Sequence, residues 1–208
     1  MASFEKLFQE NGFKQIAGVD EVGRGPLAGP VVACAVMFPF SSPFFLLPPE
    51  DIRDSKALTP RMRERKYWEI LSSARIGVGI VSEREIDTIN ILQASLFAMR
   101  KAVFSLTATP ELLLIDGSYN LGSFPFEQVP IVDGDRKSIS IAAASIVAKV
   151  IRDKLMENYD QEFPEYGFSR HKGYPTALHL SALRTHGPSP IHRMSFEPVA
   201  KLLGHDKS

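Results

Sequence analysis

Four large aliphatic residues in a row, Leu112-Leu113-Leu114-Ile115, run directly into Asp116-Gly117. An unbroken apolar run this short fits a strand buried on both faces, and that in turn requires a sheet with helices on each side. The aspartate closing the run falls at the strand's carboxyl end, where the crevice of an α/β sheet opens. Asp-Gly is also an ordinary turn pair. The run therefore constrains the fold class more tightly than it defines a site.

The remaining patterns supply the rest of such a sheet. Phe4, Leu7 and Phe8 stand at helical spacing in a short N-terminal helix. Ile16 to Val22 and Pro30 to Phe38 read as strands, the second β-branched and apolar. Five prolines between residues 39 and 60 make an irregular excursion. Thr59-Pro60 then looks like the cap and first position of a helix reaching about Ser72. Ile76 to Val81 is a third strand. A helix over roughly 83–106 carries Ile86, Ile89, Leu92, Leu96, Met99 and Val103 on one stripe. Gln128 to Val132 is the fifth strand. An alanine-rich helix runs from Ser138 to about Tyr159, residues 160–175 read as a loop, and a last helix spans Thr176 to His186 before Gly187-Pro188-Ser189-Pro190.

Hairpin-like early strands favour antiparallel pairing, and the later strand–helix alternation favours parallel additions to the same sheet. The expectation is an α/β fold with a mixed five-stranded sheet flanked by helices and a helical C-terminal extension. It forms a single domain over 1–208, with a core of about 14–160 and an extension of about 161–208.

Composition narrows the function classes. Hydrophobic residues make up 44% and charged residues 23%, which argues against disorder. A lone cysteine, Cys34, sits in an apolar run, reads as a small buried side chain, and allows no internal disulfide. No basic leader precedes a long apolar stretch, and Val31 to Leu47 is broken by Pro39 and Pro43. A cytoplasmic, soluble chain without membrane contact is expected. The 24 basic and 24 acidic residues balance, which counts mildly against a nucleic-acid partner. Local basic groups occur at Arg61, Arg63, Arg65 and Lys66, at Arg170, His171 and Lys172, and at His192 and Arg193. Each of these, taken alone, reads as a solvated face.

Asp20-Glu21 ends a strand and precedes Gly23-Arg24-Gly25. Neighbours on a strand point to opposite faces, so the pair shares a ligand only where the chain turns. Two acids at a turn explain the segment equally well. A dinucleotide loop is excluded, because Gly23-x-Gly25 leads into Pro26 and a strand rather than a helix. The glycines instead allow close backbone approach to a substrate, with N–H groups for a sugar hydroxyl and Arg24 for a phosphate. Asp133 and Asp135 follow the fifth strand, and either can reach the same crevice. Three or four strand-end carboxylates, without cysteine ligands or paired histidines, favour a hard cation, Mg²⁺ or Mn²⁺, and chemistry on phosphate groups. The five histidines (171, 179, 186, 192 and 205) read as surface or phosphate contacts.

Longer motifs carry a resemblance. Asp20-Glu21-Val22-Gly23-Arg24-Gly25-Pro26-Leu27-Ala28-Gly29-Pro30 resembles the opening signature of bacterial ribonuclease HII, the type 2 ribonuclease H. Asp54-Ser55-Lys56, Asn90-Ile91-Leu92, Ile115-Asp116-Gly117, Gly134-Asp135 and Ile141 to Lys149 continue it. His171-Lys172-Gly173-Tyr174 and His192-Arg193-Met194-Ser195-Phe196 complete it in order, from about residue 16 to 199. The sister family, ribonuclease HIII, usually has glycine-lysine at Gly23-Arg24 and an extra N-terminal domain. Met194 replaces a commoner arginine, and residues 39–50 are unusually apolar for that loop.

The resemblance implies a ribonuclease H fold and two-metal hydrolysis of the RNA strand of RNA–DNA hybrids, including cutting 5′ to single ribonucleotides embedded in duplex DNA. It implies Asp20, Glu21 and Asp116 as metal-binding carboxylates with Asp135 as a fourth catalytic acid. The motif, by its spacing to the alanine run, selects Asp135 over Asp133. It further implies that Gly23, Arg24 and Gly25 read the 2′-hydroxyl, that Tyr174 packs on the neighbouring deoxyribose, and that Lys56 and Ser145 line the groove. Two Mn²⁺ or Mg²⁺ ions per site are expected, in a monomer. A sliding clamp stays open as a partner, with no docking peptide visible in Lys201 to Ser208. Two rival classes remain. A silent nucleic-acid binder on the same fold is disfavoured by the retained acids, and a nucleotide-hydrolysing enzyme by the lack of a phosphate-cradling loop before a helix.

Overall fold

Alternation along one strand organises the molecule. In β2 (Val31–Met37) every residue is buried. Val31, Ala33, Ala35 and Met37 belong to one core, and Val32, Cys34 and Val36 to another. This is the period-2 consequence of a strand covered on both sides. The computed structural model describes residues 4–42, 44 and 59–204. Around β2 lie β1 (Ile16–Val22), β3 (Arg75–Val81), β4 (Leu112–Asp116) and β5 (Glu127–Ile131), in the order β3-β2-β1-β4-β5. β2 is antiparallel to β1 and β3, whereas β1, β4 and β5 run parallel. The mixed five-stranded sheet and the burial of Cys34 match expectation.

The helices are α1 (Phe4–Glu10), α2 (Pro60–Ser73), α3 (Glu83–Phe104), α4 (Ile139–Glu162), α5 (Phe168–His171), α6 (Ala177–His186) and α7 (Glu197–Leu202). Thr59 caps α2 by accepting from the Met62 N–H at 3.3 Å, with Pro60 at the first position. α3 covers one face of the sheet and α4, backed by α2, covers the other. Three expectations need correction. α3 is not one straight helix, because Asn90 adopts φ 64° and its side chain accepts from the Leu92 and Gln93 N–H groups. That local cap resets the helical phase, so Ala94, Ala98 and Ala102 join Met99 in the core, while Leu96 is only partly buried. Residues 160–175 are not wholly a loop, since α5 lies within them. A further helix, α7, follows the one expected to be last. Both are too short to show periodicity. Most of the apolar stretch 39–50, and Asp54-Ser55-Lys56, lie outside the described residues.

α4 packs unusually close to β1. A Cβ at Gly18 would sit 2.2 Å from the Ile141 nitrogen and the Ser140 carbonyl carbon, both backbone atoms that cannot swing away. Buried Glu5 fastens α1 to the same place, accepting from the Ser140 N–H at 2.9 Å and from the Ser138 and Ser140 hydroxyls. Gly18→Ala is expected to destabilise the fold by about 3 kcal/mol or more, above the usual cost of overpacking, because helix and strand must separate. Urea denaturation measures it.

The C-terminal helices rest on a third cluster containing Met156, Tyr166, Phe168 and Ile191. Here the histidine expectation fails. His171, His179 and His192 are all buried, and Phe168 meets each of them edge-on or tilted. Their spacing spreads over two helices and a loop, so no sequence window displays them as a group. Burial holds the His179 and His192 imidazoles at about 4, against an ordinary 6.5. The unfolded chain therefore binds more protons between those values, and stability is lost as pH falls from about 6.5 to about 4. Denaturation midpoints across that range should fall less steeply for His179→Leu than for the native chain.

Candidate active site

Strand parity brings two acids to one side. In β1, Ala17 and Val19 face the α3 core, so Gly18 and Asp20 face α4. In β4, Leu113 and Ile115 face α3, which turns Asp116 toward α4 as well. The parallel register ends at Val19↔Ile115, and Asp20 and Asp116 are the next residues on each strand. Both still lie within their strands, not at a turn. Glu21 has the opposite parity, yet β1 continues beside β2 to Val22 after leaving β4 behind. Its side chain can lean across the open end of β4 into the same pocket.

That pocket, of about 290 Å³, is lined by Asp20, Glu21, Asp116, Asp133 and Asp135. Gly23, Arg24 and Gly25 form its rim with Tyr174, and Ser145 and Lys149 come from α4. It thus unites all the sequence-nominated residues except Lys56, which lies outside the described residues. Lys149 was not singled out from sequence, although it closes the motif that begins at Ile141. Asp133 and Asp135 reach the pocket through a tight 3-10 turn (Gly134–Arg136), with Asp133 left-handed at φ 54°. The Gly134 N–H donates to Asp116 Oδ1 at 2.7 Å, locking that turn to β4.

The acids strain against one another. Burial first, then the charges of Glu21 and Asp116, hold the Asp20 carboxyl well above its ordinary value, while the Ser145 hydroxyl and the Glu21 N–H donate to it and oppose the rise. Burial also raises Glu21. Arg24 counters this at 3.3 Å, and Asp116 adds to it. Among the described residues no three acids, histidines or cysteines already converge closely enough to hold an ion. An all-oxygen donor set whose members resist ionisation fits a hard divalent cation, which would relieve that repulsion.

Two buried guanidinium groups shape the rim. Arg152 donates to the carbonyls of Pro30, Lys172 and Ala28 at 3.0–3.1 Å. Arg193 donates to those of Gly29 at 2.8 and 3.0 Å and Arg24 at 2.9 Å, and also to Gly23. Both side chains are fully buried, so His192-Arg193 is not the surface basic group expected from sequence. The planar guanidinium presents five donors in a fixed fork, against three on a lysine's rotating ammonium, so it holds several carbonyls in set directions. Buried Glu83 and the nearby Asp87 supply compensating negative charge. Asp87 also holds the Met194 and Ser195 N–H groups at 2.9 Å.

The ribonuclease HII family model matches residues 17–199. The chain belongs to the ribonuclease HII family. Ribonuclease HII of Geobacter sulfurreducens is 52% identical over 205 residues, covering 98% of this chain and 92% of that one. Among solved structures, ribonuclease H2 from Pyrococcus horikoshii superposes with a TM-score of 0.75 at 27% identity, covering 93% and 100% of the two chains. A structure of the PCNA:RNase HII complex from Archaeoglobus fulgidus matches at 0.69 and 25%, covering 88% and 95%. The fold is that of a ribonuclease H, and this family member is an enzyme, a ribonuclease. No helix among the described residues is long and apolar enough to cross a membrane.

In this ribonuclease HII family member, the two rim glycines make different demands. Gly23 has φ +98°, and a Cβ there would meet Arg152 Nε at 2.2 Å and the Pro30 oxygen at 2.8 Å. A Cβ on Gly25 would meet nothing nearer than the Tyr174 ring at 3.7 Å. Gly23→Ala should cost about 2–3 kcal/mol of stability, whereas Gly25→Ala should stay within about 0.5 kcal/mol. Paired urea melts measure both.

Proposed function

We propose that this ribonuclease cleaves the RNA strand of RNA–DNA hybrids and cuts 5′ to single ribonucleotides embedded in duplex DNA. The observation that carries the reading is one shared pocket: the acids of β1 and β4, Asp20 buried and Glu21 and Asp116 half-buried, lie beside the Gly23-Arg24-Gly25 rim and the Tyr174 ring. A phosphate-cutting centre and a sugar-reading surface are thereby adjacent.

Asp20, Glu21, Asp116 and Asp135 would hold two divalent ions, Mg²⁺ or Mn²⁺. When bound, such ions acidify a water and neutralise charge on the departing oxygen. The chain's own residues do the rest. Ser145 orients the Asp20 carboxylate. Arg24, released from Glu21, meets a phosphate. Backbone N–H groups of the rim pair with the 2′-hydroxyl, the group that separates RNA from DNA. Tyr174 lays its ring against the adjacent deoxyribose. Lys56 and Lys149 contact the backbone of the duplex. Hydrolysis breaks the bond between phosphorus and the preceding nucleotide's 3′-oxygen, leaving a 3′-hydroxyl and a 5′-phosphate. The 2′-hydroxyl is read and takes no part as nucleophile.

The chain acts as a monomer in the cytoplasm, as one unit in which the C-terminal extension contributes Tyr174. A sliding clamp is a candidate partner, because the Archaeoglobus relative is described in complex with PCNA.

Asp20→Asn should lower cleavage more than about 100-fold, beyond the loss typical of an outer-shell partner, while hybrid binding persists. Gel assays with Mg²⁺, Mn²⁺ or chelator read both, and native-rate cleavage by the variant would reject the assignment. Tyr174→Ala should weaken cutting at a single embedded ribonucleotide by about tenfold, as loss of one aromatic contact does, and a long hybrid less. A 2′,3′-cyclic phosphate among the products would refute the proposed chemistry.

A further inference from the structure

The three buried histidines are untouched by the chemistry above, yet one of them reaches the residue assigned to sugar recognition. The Ser189 N–H donates to His192 Nδ1 at 2.9 Å. A backbone N–H can only donate, so that ring nitrogen carries no proton and Nε2 carries it instead. His192 Nε2 lies 3.0 Å from His179 Nε2. The first must donate and the second must accept, which places the His179 proton on Nδ1. His179 Nδ1 lies 2.9 Å from the Tyr174 carbonyl oxygen, which can only accept. Each step demands the tautomer that the previous one leaves. His171 obeys the same rule separately: it accepts from the Gly173 N–H at Nδ1 and donates from Nε2 to the Tyr166 carbonyl at 2.8 Å. Its ring stacks on His179 at 4.4 Å, so the relay cannot swing sideways.

We propose that His192 and His179 are positioning residues for Tyr174, forming a tautomer-locked relay from Ser189 that ends on its carbonyl and holds its ring at the pocket rim. The inference rests on the reading of Tyr174 given above. The surroundings fit a device for one backbone position. The Tyr174 carbonyl also accepts from the Thr176 N–H at 2.8 Å, its N–H donates to the His171 carbonyl at 2.9 Å, and the Leu27 N–H holds the Gly173 carbonyl at 2.8 Å. Tyr174 itself is 40% exposed, so its ring is placed from behind rather than by packing around it. Neutral imidazoles are required, and burial in an aromatic setting keeps both neutral at ordinary pH.

The tautomers are read directly from long-range proton–nitrogen spectra of the full chain labelled in its histidines. Nε2–H on His192 and Nδ1–H on His179 are expected. Any other pattern, or a protonated ring at neutral pH, overturns the relay. Its consequence is read from kinetics on a duplex with one embedded ribonucleotide. His192→Leu should raise KM about tenfold, the effect of losing one buried hydrogen bond, with kcat within about twofold. His192→Gln, which keeps a donor toward His179, should recover most of the loss. In a Tyr174→Ala background, His192→Leu should add nothing on this substrate. Equal losses on the single-ribonucleotide duplex and on a long hybrid, or full additivity with Tyr174→Ala, would mean a merely structural role and sink the proposal. If Tyr174→Ala alone changes neither substrate, the sugar-contact reading falls, and with it the positioning role, while the tautomers still decide whether the relay exists.

Discussion

The closeness of α4 to β1 is the constraint from which the site follows. Only a glycine at position 18 lets the helix backbone press against the strand. With α4 there, Ser145 reaches Asp20, and Lys149 reaches the pocket one turn later. Ile141 and Asp116 close around Gly134, setting the turn that carries Asp133 and Asp135. Any loosening of this contact would move four acids relative to one another, and their electrostatics depend steeply on separation inside a low-dielectric pocket.

The rim is built by a different principle. Its backbone carbonyls are drawn inward by Arg152 and Arg193, two charges that the fold buries completely. Burying a cation is costly unless its donors are satisfied. Here the carbonyls of Gly23, Arg24, Ala28, Gly29, Pro30 and Lys172 satisfy them. The same bonds join the Gly23-to-Pro30 segment to the C-terminal helices. The segments around Lys172 and Arg193 are therefore part of the rim's framework, tied to it from α4 and from the loop before α7.

Much of this was legible in the sequence, for identifiable reasons. The double burial of β4 showed as an unbroken aliphatic run, and the short link from β1 to β2 showed their antiparallel pairing, whereas β2 and β3 pair antiparallel across the long segment that carries α2. Thr59-Pro60 announced the start of α2. Asp20, Asp116 and Asp135 were visible as acids next to strand ends. What escaped notice lacked a local pattern. The Asn90 break hides inside an otherwise good helical stripe, because its cause is one side chain bonding its own backbone. Arg193 and His192 look like surface basic residues until the carbonyls 164 and 170 positions away, and a partner ring 13 positions away, come to meet them. Long-range partners of that kind leave no trace in a window of neighbouring residues.

The pairing of β1 with β4 also acts as a ruler. Asp20 and Asp116 follow directly on the register pair Val19↔Ile115 of a parallel ladder. Neighbouring strands stand roughly 4.8 Å apart because backbone hydrogen bonds hold them so. The anchors of the two carboxylates thus inherit a span set by peptide geometry, common to all such ladders and indifferent to side-chain substitution. Exchanging either aspartate for glutamate would lengthen the arm and leave its root in place. The gauge of the acidic centre is a property of the main chain, and side chains only choose how to fill it.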